Sequence, residues 1–353
     1  MKTYFITGGC GFIGSNFIHY LIKNKIAGKI INLDKLTYAG NKDNLSSIEE
    51  NDNYFFIKGD ISNEKVVQNI LRQHTPDVIV NFAAESHVDR SIDNPLEFIK
   101  TNVLGTSNLL NETCRWIKSM SIEALNDFKF IQISTDEVYG SLGSEGSFTE
   151  STPYNPSSAY SASKASSDHL ARSWFKTFNF PVIITNCSNN YGPYQFPEKL
   201  IPLMVINALS DKKLPIYGKG LNVRDWLYVE DHCRAIYTVI EKGTPGQTYN
   251  IGGNNEITNI QIVEAICAIL DNEMPLGSGK LYNENIIFVE DRPGHDFRYA
   301  VNTSKIKKEL GWDPKESFES GIQKTILWYL SNQNWWEKIQ NQNYNQERLG
   351  LLK

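Results

Sequence analysis

The sequence predicts an α/β protein, a doubly wound parallel sheet with a smaller mixed α/β portion towards its C-terminal side. Three observations predict it. Short apolar runs at 2–7, 29–34, 54–57, 77–84, 128–135 and 180–186 are separated in the first half by stretches of helical periodicity. A glycine-rich loop stands between the first run and the first helical pattern. Polar and ionisable residues gather just past the C-terminal ends of these runs, where open parallel sheets bind ligands.

With 353 residues the chain can bury a large core and carry an appended smaller domain. The expected division is a nucleotide-binding domain with the catalytic residues at 1–190 and a mainly substrate-binding portion at 191–330, some segments of which return to the main domain. A tail rich in Asn and Gln, with Trp335 and Trp336, follows at 331–353. A formal charge of −5 offers no basic face for nucleic acid or a membrane surface. The five cysteines, Cys10, Cys114, Cys187, Cys233 and Cys267, are widely spaced and contain no C-x-x-C pair, so reduced, mostly buried thiols are expected, without structural zinc. Asp231 and His232 have metal-ligand chemistry, but no third ligand is spaced to join them, and no metal is expected. The first predicted strand and glycine loop leave no room for a signal peptide, and no apolar run approaches membrane-spanning length; a cytoplasmic protein is expected.

Taken in order, the strand at 2–7 runs into Gly8-Gly9-Cys10-Gly11-Phe12-Ile13-Gly14, and Phe17, Ile18, Leu21 and Ile22 continue as a helix. Glycines at 8, 11 and 14 let the backbone approach a pyrophosphate, which meets amide N–H groups and the positive helix end. The second strand ends at Asp34, placed for the ribose hydroxyls of an adenosine and repelling a 2′-phosphate; together these predict a Rossmann-type site for NAD and not NADP. The third strand leads to Asp60, positioned for the adenine edge. The fourth leads through Ala83 and Ala84, small enough for close approach of a cofactor, to Ser86, His87 and Arg90. A long helical pattern over 96–118 precedes the central strand, which ends in Ser134-Thr135-Asp136-Glu137. Beyond it, Tyr160 and Lys164 stand four apart, on one face of a helix, so the ammonium is expected to lower the pKa of the phenol. Residues 222–229 read as a strand returning toward the main domain, capped into a helix at Glu230 and Asp231.

The glycine loop, the Ser134-Thr135 pair and Tyr160-x-x-x-Lys164 resemble the extended short-chain dehydrogenase/reductase superfamily of nucleotide-sugar enzymes. Ser134-Thr135-Asp136-Glu137-Val138-Tyr139-Gly140 resembles its dTDP-glucose 4,6-dehydratase family in particular. Further resemblance lies in 83–91, in Asn186-Cys187-Ser188-Asn189-Asn190-Tyr191-Gly192-Pro193, in Glu198-Lys199-Leu200-Ile201-Pro202 and in 291–296, nearly the whole chain. A short loop between Gly140 and Thr149 departs from the pattern, at the rim of the site. The resemblance implies a tightly bound NAD, a dTDP-glucose substrate and a homodimer through helices near 96–118 and 157–178. It implies a cofactor site of Gly8, Gly11, Phe12, Ile13, Gly14, Asp34, Lys35, Leu36, Thr37, Asp60, Ile61, Phe82, Ala83, Ala84, Glu85, Ser86, Thr101, Tyr160, Lys164 and Asn190. For the substrate it implies Ser86, His87, Thr135, Asn189, Lys199, Leu200, Pro215, Ile216, Tyr217, Arg224, Asn259, Arg292 and His295. Cations at 199, 224 and 292 suit a pyrophosphate, arginine most of all because it bonds oxygens bidentately.

The catalytic set on this reading is Thr135, Asp136, Glu137, Tyr160 and Lys164. Tyr160 takes the proton of the sugar 4-hydroxyl as hydride leaves C4. The resulting ketone acidifies C5, so Glu137 removes that proton while Asp136, if protonated, donates to the departing 6-hydroxyl. Two requirements follow. The strand must end at Thr135, because adjacent strand residues face opposite ways, and Asp136 must hold its proton near neutral pH. The rivals are a 4-epimerase or decarboxylase on the same scaffold, which needs no acid at 136, and a non-catalytic NAD sensor, which needs none of the set.

Overall fold

The computed structural model describes residues 1–291 and 295–343. Among them twelve strands follow in chain order: β1 (Thr3–Thr7), β2 (Lys29–Asp34), β3 (Tyr54–Lys58), β4 (Val78–Asn81), β5 (Lys129–Thr135), β6 (Val182–Cys187), β7 (Asn189–Tyr191), β8 (Leu214–Tyr217), β9 (Val223–Tyr228), β10 (Thr248–Ile251), β11 (Glu256–Thr258) and β12 (Ile286–Val289). Seven of them form a parallel sheet in the order β10-β6-β5-β4-β1-β2-β3. From β1 the chain winds outward to β3, then returns to β4 on the other side and winds outward again. The crevice between the ends of β1 and β4 is the switch point of this topology.

The strands are near-continuous apolar runs because helices cover both faces. On one face, helices Phe12–Lys23 and Val229–Lys242 bury Phe17, Ile18, Leu21, Ile236, Val239 and Ile240 against Ile6, Ile30 and Val80. On the other, helices Glu64–His74, Thr106–Ile117 and Ala159–Phe178 bury Val67, Leu71, Leu109, Leu110 and Ala171 against Phe5, Ile31 and Phe130. Within this apolar sheet one polar ladder crosses three strands. Thr7 donates to Asn81 at 2.6 Å and Asn81 to Gln132 at 2.9 Å. It ties β1, β4 and β5 together just beneath the crevice.

The C-terminal portion is woven into this frame. β7, β9 and β11 make one small sheet, β8 and β12 another, and helices Leu200–Leu209, Asn259–Glu273 and Phe318–Ser331 close a second core with Trp226, Ile262, Ile266 and Ile326. Between them helix Val229–Lys242 and strand β10 pass back to the main sheet, β10 as its edge. The pattern at 96–118 is not one helix. It is a short turn Pro95–Phe98, a π-helical stretch Ile99–Gly105 and a helix Thr106–Ile117. The wide turn aims Asn102 inward, where its amide bonds both the N–H and the C=O of Glu85 and donates to Ser163 at 2.8 Å. All five cysteines are free and buried. No described helix is long and apolar enough to cross a membrane.

Candidate active site

A cleft opens beyond the carboxyl ends of β1 to β6, and its two walls are built differently. The first wall is mostly backbone. Gly8 leaves β1 at φ +69°, and a Cβ there would stand 2.7 Å from the backbone nitrogen of Ala83. At Gly14 a Cβ would stand 2.4 Å from the Gly8 carbonyl oxygen, so only glycine allows the loop and helix to close up. Helix Phe12–Lys23 begins at Gly11 with no side-chain cap and no acidic residue in its first turn. Its orphan N–H groups and positive end therefore face a cleft that Gly11, Phe12 and Ile13 line, and a Cβ on Gly11 would meet only the Gly8 oxygen, at 3.3 Å. This cradle fits a pyrophosphate. Beside it the Asp34 carboxylate accepts from Cys10 N at 2.9 Å and Leu36 N at 2.8 Å, fixed where ribose hydroxyls would reach it. Burial acts to raise Asp60, but the Lys35 ammonium at 2.9 Å and the bonds to Ser62 outweigh it and hold the carboxyl below its ordinary range.

The second wall carries buried ionisable groups. β5 ends at Thr135, and Asp136–Tyr139 is a single 3-10 turn capped by Thr135, whose hydroxyl accepts from Glu137 N at 3.2 Å. The turn, in place of alternating strand geometry, brings both carboxylates to one cleft. Asp136 is 2% exposed. Burial first, then the neighbouring charges of Glu137 and Asp225, push its pKa well above the ordinary carboxylate value, against the pull of Arg224 and Thr135. One of its oxygens accepts from Thr135 at 3.3 Å, and the other has no hydrogen-bond partner among the described residues. Both features favour the protonated form of this carboxyl group.

Helix Ala159–Phe178 starts with a reciprocal capping box between Ser158 and Ser161, which places Tyr160 and Lys164 on its first turns. Here the expectation for the pair needs correcting. Lys164 donates to the carbonyl of Ile133 at 2.6 Å, and burial pulls its pKa down, opposed by Asp168 one turn further on. Tyr160 is pushed well up, by burial first and the Glu137 charge second, with the Thr135 hydroxyl pulling against them. The lysine is held by the backbone of β5, so the protein alone keeps the phenol protonated.

Of the residues expected at the cofactor, all but Leu36 line the cleft; Leu36, at φ +57°, is half-buried and packs against the core. Ser86, Thr135, Asn189 and Lys199 of the substrate set line it too, with the Lys199 ammonium 3.1 Å from the carbonyl of Ser86. His87 and Leu200 lie off the cleft wall. His87 caps the short helix Val88–Asp93, its Nδ1 accepting from Arg90 N at 3.4 Å. Pro215, Ile216 and Tyr217 form β8, with His295 edge-on to Tyr217 and 2.6 Å from Asp291. Arg224 stacks over Tyr299 and donates to the backbone carbonyls of Val223, Asp296 and Phe297. Asn259 opens helix Asn259–Glu273, and Arg292 lies outside the described residues.

Sequence reasoning gave no role to Glu198, which lines the cleft with its side chain 2% exposed, paired to Arg90 at 3.0 Å and to the Tyr38 hydroxyl at 3.0 Å. Its partners stand 108 and 160 positions away, so nothing local marks it. His232 is likewise buried, pushed down to about 3 by desolvation, and bonds Asn190 at 2.9 Å.

The chain matches known proteins over nearly its whole length. A family model described as GDP-mannose 4,6 dehydratase matches residues 5–325. A dTDP-glucose 4,6-dehydratase of Xanthomonas campestris pv. campestris is 53% identical over 350 residues, 99% of each chain. The crystal structure of dTDP-glucose 4,6-dehydratase from Bacillus anthracis in complex with NAD is 49% identical, with a TM-score of 0.85 over 96% of this chain and 100% of that one. That of Streptomyces venezuelae with NAD and TYD bound is 43% identical, with a TM-score of 0.87 over 96% and 99%. Cradle, paired carboxylates and full-length similarity place this chain in the GDP-mannose 4,6 dehydratase family, among its dTDP-glucose 4,6-dehydratases.

Proposed function

We propose that the protein is an NAD-dependent hydro-lyase that converts dTDP-glucose to dTDP-4-keto-6-deoxyglucose and water. The observation that carries this reading is the 3-10 turn at the end of β5, which puts a buried Asp136, its pKa pushed well up, beside Glu137 in the cleft that holds Tyr160. A 4-epimerase or decarboxylase has no task for that acid. NAD, when bound, supplies the hydride acceptor for C4, the donor for C6 and a positive charge near the phenol.

The chain's own groups handle the protons. Tyr160 takes the proton of the 4-hydroxyl, with Thr135 steadying the oxygen and Lys164 the ribose. Glu137 takes the C5 proton, Asp136 gives its proton to the 6-hydroxyl, which leaves as water, and Glu137 returns a proton to C5. At that point Tyr160 holds one proton more than at the start and Asp136 one fewer. A transfer from one to the other resets the site, and Thr135 touches both. Residues 1–190 hold the cofactor and the reacting groups. Residues 191–330, apart from helix Val229–Lys242 and β10, hold mainly the nucleotide diphosphate, with Lys199, Arg224, Asn259, Arg292 and His295 as its contacts and Asn189 joining them from the first portion.

The proposal extends to a homodimer. Leu96, Ile99 and Leu104 are 67%, 41% and 59% exposed on the segment before helix Thr106–Ile117, beside helix Ala159–Phe178, an apolar face suited to a second copy. A cytoplasmic setting accords with five free, buried thiols. The activity is tested by incubating the protein with dTDP-glucose in heavy water. A 4-keto-6-deoxy product with deuterium at C5 is expected; a 4-epimer, or no change in the sugar, contradicts the reading.

A further inference from the structure

The C-terminal helix Gln333–Asn343 takes no part in the chemistry above, yet it bonds directly to the segments that frame the cofactor wall. Its Trp335 indole donates to the Asn44 side chain at 2.9 Å, across 291 positions. Asn44 is 2% exposed, and its amide donates to the carbonyl of Cys10 in the glycine loop at 3.0 Å, where Asn41 N also donates at 3.0 Å. The N–H of the same Cys10 donates to Asp34. One chain of bonds thus runs from the C-terminal helix through Asn44 to the glycine loop and the ribose carboxylate. A second contact holds the adjoining loop from outside. Lys338 pairs with Asp43, and Trp335 and Ile339 pack with Tyr38, Ala39 and Phe196. Ala39 and Phe196 also line the cleft, and Tyr38 bridges to Glu198.

We propose that helix Gln333–Asn343 is a clasp for the cofactor, in which Trp335 and Asn44 are positioning residues that keep the glycine loop and the loop at 35–44 closed over bound NAD. The proposal rests on the NAD assignment above. It gives a physical reason for cofactor retention in a cycle that ends with NAD as it began. Loss of the cofactor between the two hydride transfers would strand a half-converted sugar, whereas exchange between cycles serves nothing. The helix contributes no residue to the cleft lining, so its effect falls on the rate of cofactor escape.

The test uses the full chain loaded with NAD and measures how fast bound NAD exchanges with labelled NAD after gel filtration, with no sugar present. Trp335→Ala removes both the hydrogen bond and the packing and is expected to speed exchange by about tenfold or more. Trp335→Phe keeps an aromatic ring, smaller than the indole, and loses the N–H, and about threefold is expected. Lys338→Ala, which removes an exposed ion pair, is expected to change the rate by about twofold or less. Circular dichroism of each variant checks that it folds; if Trp335→Ala does not, Trp335→Phe decides. Wild-type exchange rates in the folded tryptophan variants overturn the clasp. Because the readout needs no substrate, that result leaves the dehydratase reading standing, and failure to make a keto sugar leaves the clasp standing.

Discussion

The two walls of the cleft use polar groups in opposite ways. On the cofactor wall, glycines, uncapped N–H groups and a carboxylate fixed by two backbone bonds offer a binding surface that stays the same through a reaction cycle. On the reaction wall, Asp136, Tyr160 and Lys164 are buried ionisable side chains shifted first by desolvation and then by neighbouring charges, Glu137 for Asp136 and Tyr160 and Asp168 for Lys164. The first wall recognises a constant charge, and water-like amide donors suffice. The second must change charge during the reaction, and burial there favours the neutral form of each group, raising Asp136 and Tyr160 and lowering Lys164. Substitutions on the two walls should therefore fail in different ways.

The largest effect is expected at the reaction wall. Tyr160→Phe removes the group that takes the 4-hydroxyl proton, and ketone formation should fall by about 10⁴-fold with bound NAD content unchanged, read by product formation and by cofactor extraction. Asp136→Asn should lower water loss by about 10²–10³-fold while leaving sugar oxidation in place, so that in rapid-quench samples the 4-keto-glucose builds up. If both steps fall together, the division of labour between Tyr160 and Asp136 is wrong. Gly14→Ala belongs to the other wall: its Cβ would press on the Gly8 oxygen, and we expect a loss of about 1–3 kcal/mol in stability together with lost NAD, visible by thermal melting and cofactor content.

The smallest effect is one of pH. Asp136 has a folded pKa raised above its unfolded value near 3.8, so between the two the native state binds the extra proton and stability falls as pH rises. Asp136→Asn removes that dependence, and its melting temperature should overtake that of the wild type progressively above about pH 4, with a difference in slope of about 1.4 kcal/mol per pH unit. A constant offset at all pH values would show that the acid is not held neutral by the fold.

How far the sequence alone reveals this molecule follows the same division. The glycine loop, Asp34 and the Thr135-Asp136-Glu137 run are each contiguous with the strand that positions them, so local pattern sufficed. Strand β10 is four residues long and pairs with β6 about sixty positions earlier, a partner no local periodicity names. The π-helical stretch Ile99–Gly105 shares its apolar spacing with an ordinary helix, and its distinctive residue, Asn102, acts through Glu85 and Ser163. The Tyr160 and Lys164 pair shows the limit most clearly. Helical spacing put them on one face, but the Ile133 carbonyl that takes the lysine, and the burial that raises the phenol, belong to the tertiary structure. The tail had no reading at all until Asn44 and Cys10 came beside it.

Whether Asp136 is a neutral acid while the resting enzyme waits for substrate is decided by its own carbonyl stretch. An infrared difference spectrum between the NAD-loaded wild type and Asp136→Asn at neutral pH should contain a protonated carboxylic acid band belonging to the wild type. A difference spectrum showing an ionised carboxylate lost in its place contradicts the account.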